Sequence, residues 1–222
     1  IFLLLTVVLF VPIMRPLRRP NKTSAPATQR VYQAIEALPP GSFLLLSLDY
    51  DPSTRPELHP MSMALVKHAF KRNLRVGVVT YISGSAGLIE DVFENTAKAY
   101  NKSDGKDYVI LPYMPNYLAA MTQMASDMYG IYTADRNGRD LRSMPVLSGI
   151  KNYKDMSMVV CVTGTGMLDA WVAYVGDKFN VPVAGGVVAI IQPGYGPYLQ
   201  TGQLKGLIGG MKGAAEDEAL VK

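Results

Sequence analysis

Residues 43–48 read Phe-Leu-Leu-Leu-Ser-Leu, and this run decides the fold class. Its apolar side chains follow one another without the alternation that a strand with one face in water would show. An unbroken apolar run of this length predicts a strand that is buried on both faces. Such strands lie inside a parallel sheet that is covered by helices, so the run predicts an α/β domain.

The segments beyond this run alternate between strand and helix patterns. Further strands are predicted at residues 75–81, 108–111, 156–162 and 181–191, and helices at residues 58–73, 86–100 and 167–179. Strands separated by helices require right-handed crossovers, which place helices on both faces of the sheet. The predicted fold is therefore a three-layer α/β domain with a mostly parallel sheet. The Met- and Tyr-rich residues 112–150 are predicted to be mostly helical.

The composition excludes several classes of protein. The chain has 222 residues, of which 49% are hydrophobic and 18% are charged, and this excludes a disordered, highly charged protein. The lone cysteine, Cys161, excludes a disulfide framework and a four-thiolate zinc site. The two histidines, His59 and His68, lie at no metal-ligand spacing with other ligand types. The sequence therefore predicts no metal and no cofactor.

The positive charge is confined to one short segment. The formal net charge is +4, and four cations stand in a stretch without an acid: Arg15, Arg18, Arg19 and Lys22. The rest of the chain is formally neutral. Because a nucleic-acid binder carries its cations on the domain that contacts phosphates, the sequence disfavours nucleic acid as a partner.

The segment before these cations is apolar. Residues 1–14 read IFLLLTVVLFVPIM and contain no charge, which favours a membrane anchor over a buried helix. The run is shorter than the roughly 20 residues that a spanning helix needs, and an anchor truncated at its N-terminal end accounts for the deficit. Because the cations follow the apolar run, the positive-inside rule predicts a single-pass anchor in the cell membrane with a cytoplasmic soluble domain. The bilayer is thus a predicted partner.

The chain is accordingly divided into four parts. Residues 1–14 form the predicted transmembrane anchor, and residues 15–27 form a basic, proline-rich linker. Residues 28–198 form the α/β domain, and residues 199–222 form a Gly-rich packing helix and tail. No internal repeat is evident in the sequence.

The loops that follow the predicted strands are the places where ligands bind in such a sheet. Asp49 and Asp51 follow the first strand, and residues two apart on an extended segment point the same way. The two carboxylates could therefore share a metal ion or a proton. A capped turn accounts for the same residues and is the preferred interpretation.

A second loop places small residues and a serine between a strand and a helix. Ser83, Gly84, Ser85 and Gly87 resemble a nucleophile elbow, but the first position is not glycine. In a hydrolase, Ser85 would be the nucleophile, and a histidine or lysine would have to serve as its base. A tight turn that caps the following helix is the alternative and is favoured.

The third loop also lies between a predicted strand and a predicted helix, and its residues are Thr163, Gly164, Thr165 and Gly166. Its glycines permit close backbone approach, and amides at a helix N-terminus favour an anion. Together with the second loop it could line one anion-binding crevice. Close packing of a helix on a strand explains the same residues and is somewhat preferred.

The C-terminal stretch contains glycines at four-residue spacing: Gly202, Gly206, Gly209, Gly210 and Gly213. In a helix these residues form a small-residue groove that lets another backbone approach closely. Glycine in a helix interior costs about 1 kcal/mol relative to alanine, so the predicted helix needs a packing partner within the domain or on another subunit.

Three stretches carry a resemblance to a known family. Residues 202–216 (GQLKGLIGGMKGAAE), residues 170–176 (AWVAYVG) and residues 181–183 (VPV) are similar to an uncharacterised family of prokaryotic membrane proteins. The similarity extends from about Gln29 to Glu216. In that family, the glycine-rich stretch ends with Glu-Tyr-Glu, whereas this chain has Glu216-Asp217-Glu218 at the corresponding place. The resemblance implies a membrane-tethered domain and no established activity.

Two functions of different class follow from these features. The first is a non-enzymatic scaffold or accessory subunit of a membrane assembly, in which the glycine groove and the Met- and Tyr-rich middle contact other subunits or a second copy of the chain. The alternative is a small-anion-binding or serine-hydrolase-like domain that uses the loops after the strands. The scaffold is preferred because each predicted catalytic or ligand-binding site lacks some of the residues that its chemistry would need.

Overall fold

The computed structural model describes residues 24–222. The predicted anchor at residues 1–14 and most of the predicted linker lie outside the described residues. Among residues 24–222, the helices are all too short or too polar to traverse a bilayer.

A six-stranded parallel sheet forms the centre of the domain, which confirms the predicted fold class. The strands are β1 (Phe43–Asp49), β2 (Arg75–Val79), β3 (Tyr108–Ile110), β4 (Met158–Thr163), β5 (Val183–Val187) and β6 (Leu204–Gly209). Their order in the sheet is β3-β2-β1-β4-β5-β6. All five neighbouring pairs are parallel. This is the strand order of Rossmann-type domains.

The helices connect the strands in the way that parallel pairing requires. They are α1 (Pro26–Glu36), α2 (Arg55–Lys71), α3 (Ala86–Ala97), α4 (Tyr117–Met124), α5 (beginning as Met167–Trp171), α6 (Gly196–Thr201) and α7 (Gly210–Val221). Helix α5 continues without a break through a π-helical segment, Val172–Gly176, and ends as Asp177–Phe179. Single π-helical turns inside α-helices are often found near functional sites.

The alternation of side chains along β1 separates two hydrophobic cores, one on each face of the sheet. Leu44 and Leu46 point into a core that contains the buried sides of α1, α2, α3 and α7. Phe43 and Leu45 point into the second core, which includes Trp171 of α5. Successive strand residues face opposite sides, so both faces of β1 are apolar, as its sequence predicts.

The Met- and Tyr-rich segment differs from its prediction. Residues 112–157 contain one α-helix, α4, and several short 3-10 turns, so this segment is not mostly helical. Most of its large side chains are buried, Met121, Met128, Tyr132 and Tyr153 among them, whereas Tyr113 and Leu118 are exposed. The buried side chains fill the second core and do not form the partner-binding surface that the scaffold interpretation required.

The C-terminal glycine-rich stretch also differs from its prediction, because its first half is a strand. Residues Leu204–Gly209 form β6, which pairs with β5 and buries Leu204 and Leu207. Gly206 lies against α1 of the same domain, where an added methyl group would lie 2.5 Å from the backbone nitrogen of Val31. The small residue therefore permits a close contact between α1 and β6.

The other glycines of this stretch also serve the domain itself. Gly202 turns the chain into β6 with a φ of +81°, and Gly210 begins α7 with a φ of +60°. Gly209 and Gly213 are buried, the first under the side chain of Gln192 and the second against Ile208. The predicted helical groove for a second subunit is therefore wrong, because Gly206 and Gly209 belong to strand β6 and Gly202 to the turn before it.

Candidate functional site

The strand order places a topological switch point between β1 and β4. The chain leaves β1 toward β2 and β3 on one side and later crosses to β4, β5 and β6 on the other. In such sheets ligands bind beyond the carboxyl ends of the strands at this position. The C-terminal ends of the parallel strands all lie along one side of the sheet, and we call this side the carboxyl edge.

The two carboxylates after β1 are separated by the structure. Asp49 is fully buried and accepts a hydrogen bond from the Tyr81 backbone N–H at 2.7 Å and another from the Ser47 hydroxyl. Burial raises the pKa of Asp49 to about 6, although these hydrogen bonds act in the opposite direction. Asp51 is exposed, and its carboxylate accepts from the backbone N–H and the hydroxyl of Ser53. The strand ends at Asp49, so the two side chains no longer share a direction and do not form a pair.

Ser85 has a structural role. It is buried, its hydroxyl donates to the Tyr50 carbonyl at 2.7 Å, and it accepts from the Tyr50 N–H at 3.1 Å. Among residues 24–222 no histidine or lysine forms a hydrogen bond with this hydroxyl. The serine therefore joins the loops after β1 and β2 and has neither the exposure nor the base that a nucleophile needs.

The remaining residues of the β2 loop are placed around this contact. Ser83 and Gly84 are exposed at the carboxyl edge, and a methyl group at Gly84 would lie 3.3 Å from Cβ of Asp51. Gly87 lies in the first turn of α3 with open space around it. The loop thus packs against the β1 loop, and the serine-hydrolase interpretation loses its geometric basis.

Both histidines are held by structural hydrogen bonds. His59 lies between the Tyr50 hydroxyl, 3.1 Å from Nδ1, and the Asp91 carboxylate, 3.1 Å from Nε2. Burial lowers the pKa of His59, although Asp91 acts to raise it. His68 is bonded to Glu36 at 2.9 Å. Within the described part of the chain, His, Cys, Asp and Glu side chains form no group of three that could hold a metal ion.

The loop after β4 keeps backbone donors available. The Thr163 hydroxyl oxygen accepts from the Thr165 N–H at 3.0 Å and lies 3.0 Å from the Thr165 hydroxyl. The N–H groups of Gly164 and Gly166 find no acceptor among the described residues. A methyl group at Gly164 would lie 3.0 Å from the side chain of Thr54, so this loop contacts the loop after β1. These amides remain free to bind a ligand.

A pocket of about 290 Å³ opens beside this loop at the carboxyl edge. It is lined by Thr165, Gly166, Asp169, Ile191, Gly194 and Tyr195, and we call it the β4–β5 pocket. The Tyr195 hydroxyl donates to Asp169 Oδ2 at 2.9 Å. Burial and this carboxylate together raise the pKa of Tyr195, so its hydroxyl keeps its proton and holds Asp169 in place. The pocket therefore combines a fixed carboxylate acceptor with the backbone N–H of Gly166, which has no acceptor among the described residues.

Asp169 and Tyr195 are not among the site residues that the sequence predicts. Asp169 follows the Thr-Gly-Thr-Gly loop by three residues, which places it in the first turn of α5. Tyr195 belongs to the Gly- and Pro-rich run after β5. No local sequence pattern shows that this run returns to contact α5. An acidic residue one turn after a glycine-containing loop was the signal that could have indicated Asp169.

The charges around the β4–β5 pocket disfavour an anionic ligand. Asp169 lines the pocket, and none of its lining residues is a lysine or an arginine. Asp51 adds a second carboxylate on the neighbouring β1 loop. Arg55 also belongs to this edge, but its guanidinium is paired with Asp91 at 2.9 Å. The site thus offers hydrogen-bond acceptors and donors without a compensating cation.

The fold and this crevice define the chain as a Rossmann-type α/β domain. No protein-family model matches the chain, and no curated protein matches it either. The chain is similar to a solved structure, the C-terminal domain of a glycosyl transferase group 1 family protein (LpcC) from Francisella tularensis. The two share 11% sequence identity and a TM-score of 0.34, over 89% of this chain and 92% of that domain. This similarity assigns no residue, ligand or activity.

These observations correct the expectation of a non-enzymatic scaffold. The features that supported the scaffold are mostly buried inside the domain: all of its glycines except Gly202, and most large side chains of the Met- and Tyr-rich segment. The resemblance to the prokaryotic membrane family stays a prediction.

Proposed function

We propose that the chain is a membrane-tethered binding domain for a small uncharged molecule that carries several hydroxyl groups. The observation that carries this proposal is the β4–β5 pocket, where a carboxylate held by a tyrosine hydroxyl adjoins the unpaired backbone N–H of Gly166. A carboxylate accepts from a ligand hydroxyl, and an amide donates to one. Adjacent hydroxyl groups on a sugar or polyol can use both.

The size of the pocket supports a ligand built around a single ring. Small-molecule sites usually have volumes of about 300–1,000 Å³, and this pocket lies at the lower end. A dinucleotide is disfavoured despite the strand order, because the loop after β1 reads Asp49-Tyr50-Asp51-Pro52 and lacks the glycines that allow close approach of a pyrophosphate.

The tether is the second part of the proposal. Residues 1–14 are apolar and the next nine residues carry four cations, which supports an anchor in the cell membrane with the domain on the cytoplasmic side. The ligand would then be a cytoplasmic molecule or the exposed part of a membrane component. Both share the hydroxyl groups that the pocket would recognise.

The binding proposal is tested by ligand-observed NMR with the full chain in detergent and a panel of monosaccharides, polyols and their phosphorylated forms. We expect the uncharged compounds to bind and the phosphorylated ones to bind more weakly. Asp169→Asn removes one charged hydrogen bond, worth about 1.5–3 kcal/mol, and should weaken binding about ten-fold or more. Asp177→Asn, near the end of the same helical run, is the matched control and should leave binding unchanged.

Two results would contradict the proposal. Phosphorylated compounds could bind more tightly than their uncharged counterparts, which would restore the anion-binding alternative. Alternatively, binding could be equal in the Asp169→Asn and Asp177→Asn variants, which would place the ligand elsewhere.

A further inference from the structure

The exposed apolar side chains of the domain are concentrated at the carboxyl edge. Among residues 24–222, the large hydrophobic side chains that are exposed are Tyr113, Leu118, Tyr174, Ile190 and Met211. Ile190 follows β5, Met211 follows β6, and Tyr113 follows β3. Leu118 lies in the first turn of α4, where the ring of its neighbour Tyr117 packs on Tyr81 after β2. Only Tyr174, in the middle of the α5 helical run, lies away from this edge.

Ile190 and Met211 are the most exposed of this set, at 85% and 64%. A methyl group at Gly210 would lie 2.9 Å from Cβ of Ala189, so the residues that precede the two side chains are in contact. The Ala189 N–H donates to Glu57 at 2.9 Å, and Val188 is buried. The two residues that precede Ile190 are therefore held by the domain, while Ile190 itself lies in solvent.

The described chain begins at the same place. Ala25 lines a pocket of about 410 Å³ together with Ala189, Gly210 and Met211, which we call the β5–β6 pocket. Its backbone N–H donates to Glu216 of α7 at 2.8 Å. The segment that precedes Ser24 therefore joins the domain beside the two exposed apolar side chains.

The length of the linker keeps this edge close to the end of the apolar segment. Nine residues, 15–23, separate residues 1–14 from Ser24, and they span at most about 30 Å when fully extended. A domain of this size has a radius of gyration of about 16 Å and is about 40 Å across. The linker is thus shorter than the domain is wide, and the edge where it attaches stays nearest to the anchor.

We propose that the carboxyl edge docks on the lipid surface, with Ile190 and Met211 inserted at the boundary between headgroups and acyl chains. This inference rests on the membrane tether of the proposed function. Exposed apolar side chains gain burial in the lipid interface, and the covalent tether keeps them within reach of it. Ile191 lines the β4–β5 pocket directly after Ile190, so docking places the mouth of that pocket at the level of the headgroups.

The test measures the depth of single residues in the full chain reconstituted into phosphatidylcholine vesicles. Ile190→Cys and Met211→Cys are each labelled with an environment-sensitive fluorophore, and Tyr174→Cys is the matched exposed control. The native Cys161 is fully buried and burial raises its pKa well above the usual range, so it should resist labelling. Nitroxide-labelled lipids quench probes within the interface, which takes up apolar side chains to a depth of about 5–10 Å.

We expect nitroxide lipids to reduce the fluorescence at positions 190 and 211 at least about two-fold while position 174 is unaffected. If all three probes stay bright while the chain floats with the vesicles, docking is refuted and the tether stands. If all three are quenched alike, the edge has no preference for lipid and docking is again refuted. If the chain does not float with the vesicles, the tether and the docking fail together.

Discussion

Asp217 gives the sharpest prediction about the stability of this domain. It lies on the buried face of α7, which packs against α2 and α1. Both carboxylate oxygens are inaccessible to solvent and have no hydrogen-bond partner among the described residues. Burial alone raises the pKa of Asp217 from 3.8 to about 7. The perturbation is Asp217→Asn, which keeps the shape of the side chain and removes its charge.

The magnitude follows from the two pKa values. In the folded protein, the Asp217 carboxyl keeps its proton at pH values where it has lost it in the unfolded chain. The stability associated with the protonated carboxyl is therefore fully present below pH 3.8 and is lost as the pH rises through about 7. At 1.36 kcal/mol for each tenfold change in proton affinity, the total loss is about 4 kcal/mol. About 3 kcal/mol of this loss falls between pH 5 and pH 8.

The assay is urea unfolding of the full chain in mild detergent between pH 5 and pH 8. Trp171 is the single tryptophan and is fully buried, so its fluorescence reports unfolding of the core. The free energy of unfolding of Asp217→Asn should rise relative to the original chain by about 3 kcal/mol from pH 5 to pH 8. Glu218→Gln, on the more exposed side of the same helix, is the control and should follow the original chain. Parallel curves for all three proteins would refute the reasoning.

Three further predictions concern packing, hydrogen bonding and titration. Gly206→Ala forces a methyl group against the backbone of α1 and should lower the free energy of unfolding in urea by about 1–3 kcal/mol. Gly87→Ala, at a position with open space around it, should lower it by nothing, and equal stabilities of the two variants would contradict the packing. Ser85→Ala removes two buried hydrogen bonds to Tyr50 and should lower the free energy of unfolding by about 1–3 kcal/mol. A fluorophosphonate probe should not label the original chain, and labelling at Ser85 would show that this serine is reactive after all. Burial lowers the pKa of His59, so its NMR titration should have a midpoint below 6.5, and the stability that neutral His59 contributes should be lost as the pH falls through that midpoint. A midpoint above 6.5 would show that the neighbouring carboxylate of Asp91 has the larger effect on this pKa.

Local patterns predicted the elements that depend on burial alone. The run at residues 43–48 is apolar at five of its six buried positions, Ser47 being the exception, and it forms the central strand β1. The prediction at residues 75–81 yields β2, and the one at residues 167–179 yields the α5 helical run with a π-helical segment inside it. These predictions succeed because an unbroken apolar run or an apolar stripe admits few alternatives in a layered α/β domain.

The glycine-rich end shows where local patterns stop being sufficient. Residues 204–209 read Leu-Lys-Gly-Leu-Ile-Gly, and small residues at four-residue spacing suit a helix as well as a strand. Pairing with β5 decides for the strand, and contact with α1 explains Gly206. Neither neighbour is close in sequence, so no window around residue 206 contains the deciding information.

The sequence by itself determined the layered α/β class and the loops in which ligand contacts had to be sought, because both follow from which residues must leave water. Only the tertiary structure decided the chemistry of those loops. It buried Asp49 and Ser85 in structural hydrogen bonds, and it brought Asp169 and Tyr195 together across 26 positions of chain. The physical reason is that burial and hydrogen bonding between distant segments set the charge and accessibility of each group, and these contacts exist only when the sheet has assembled.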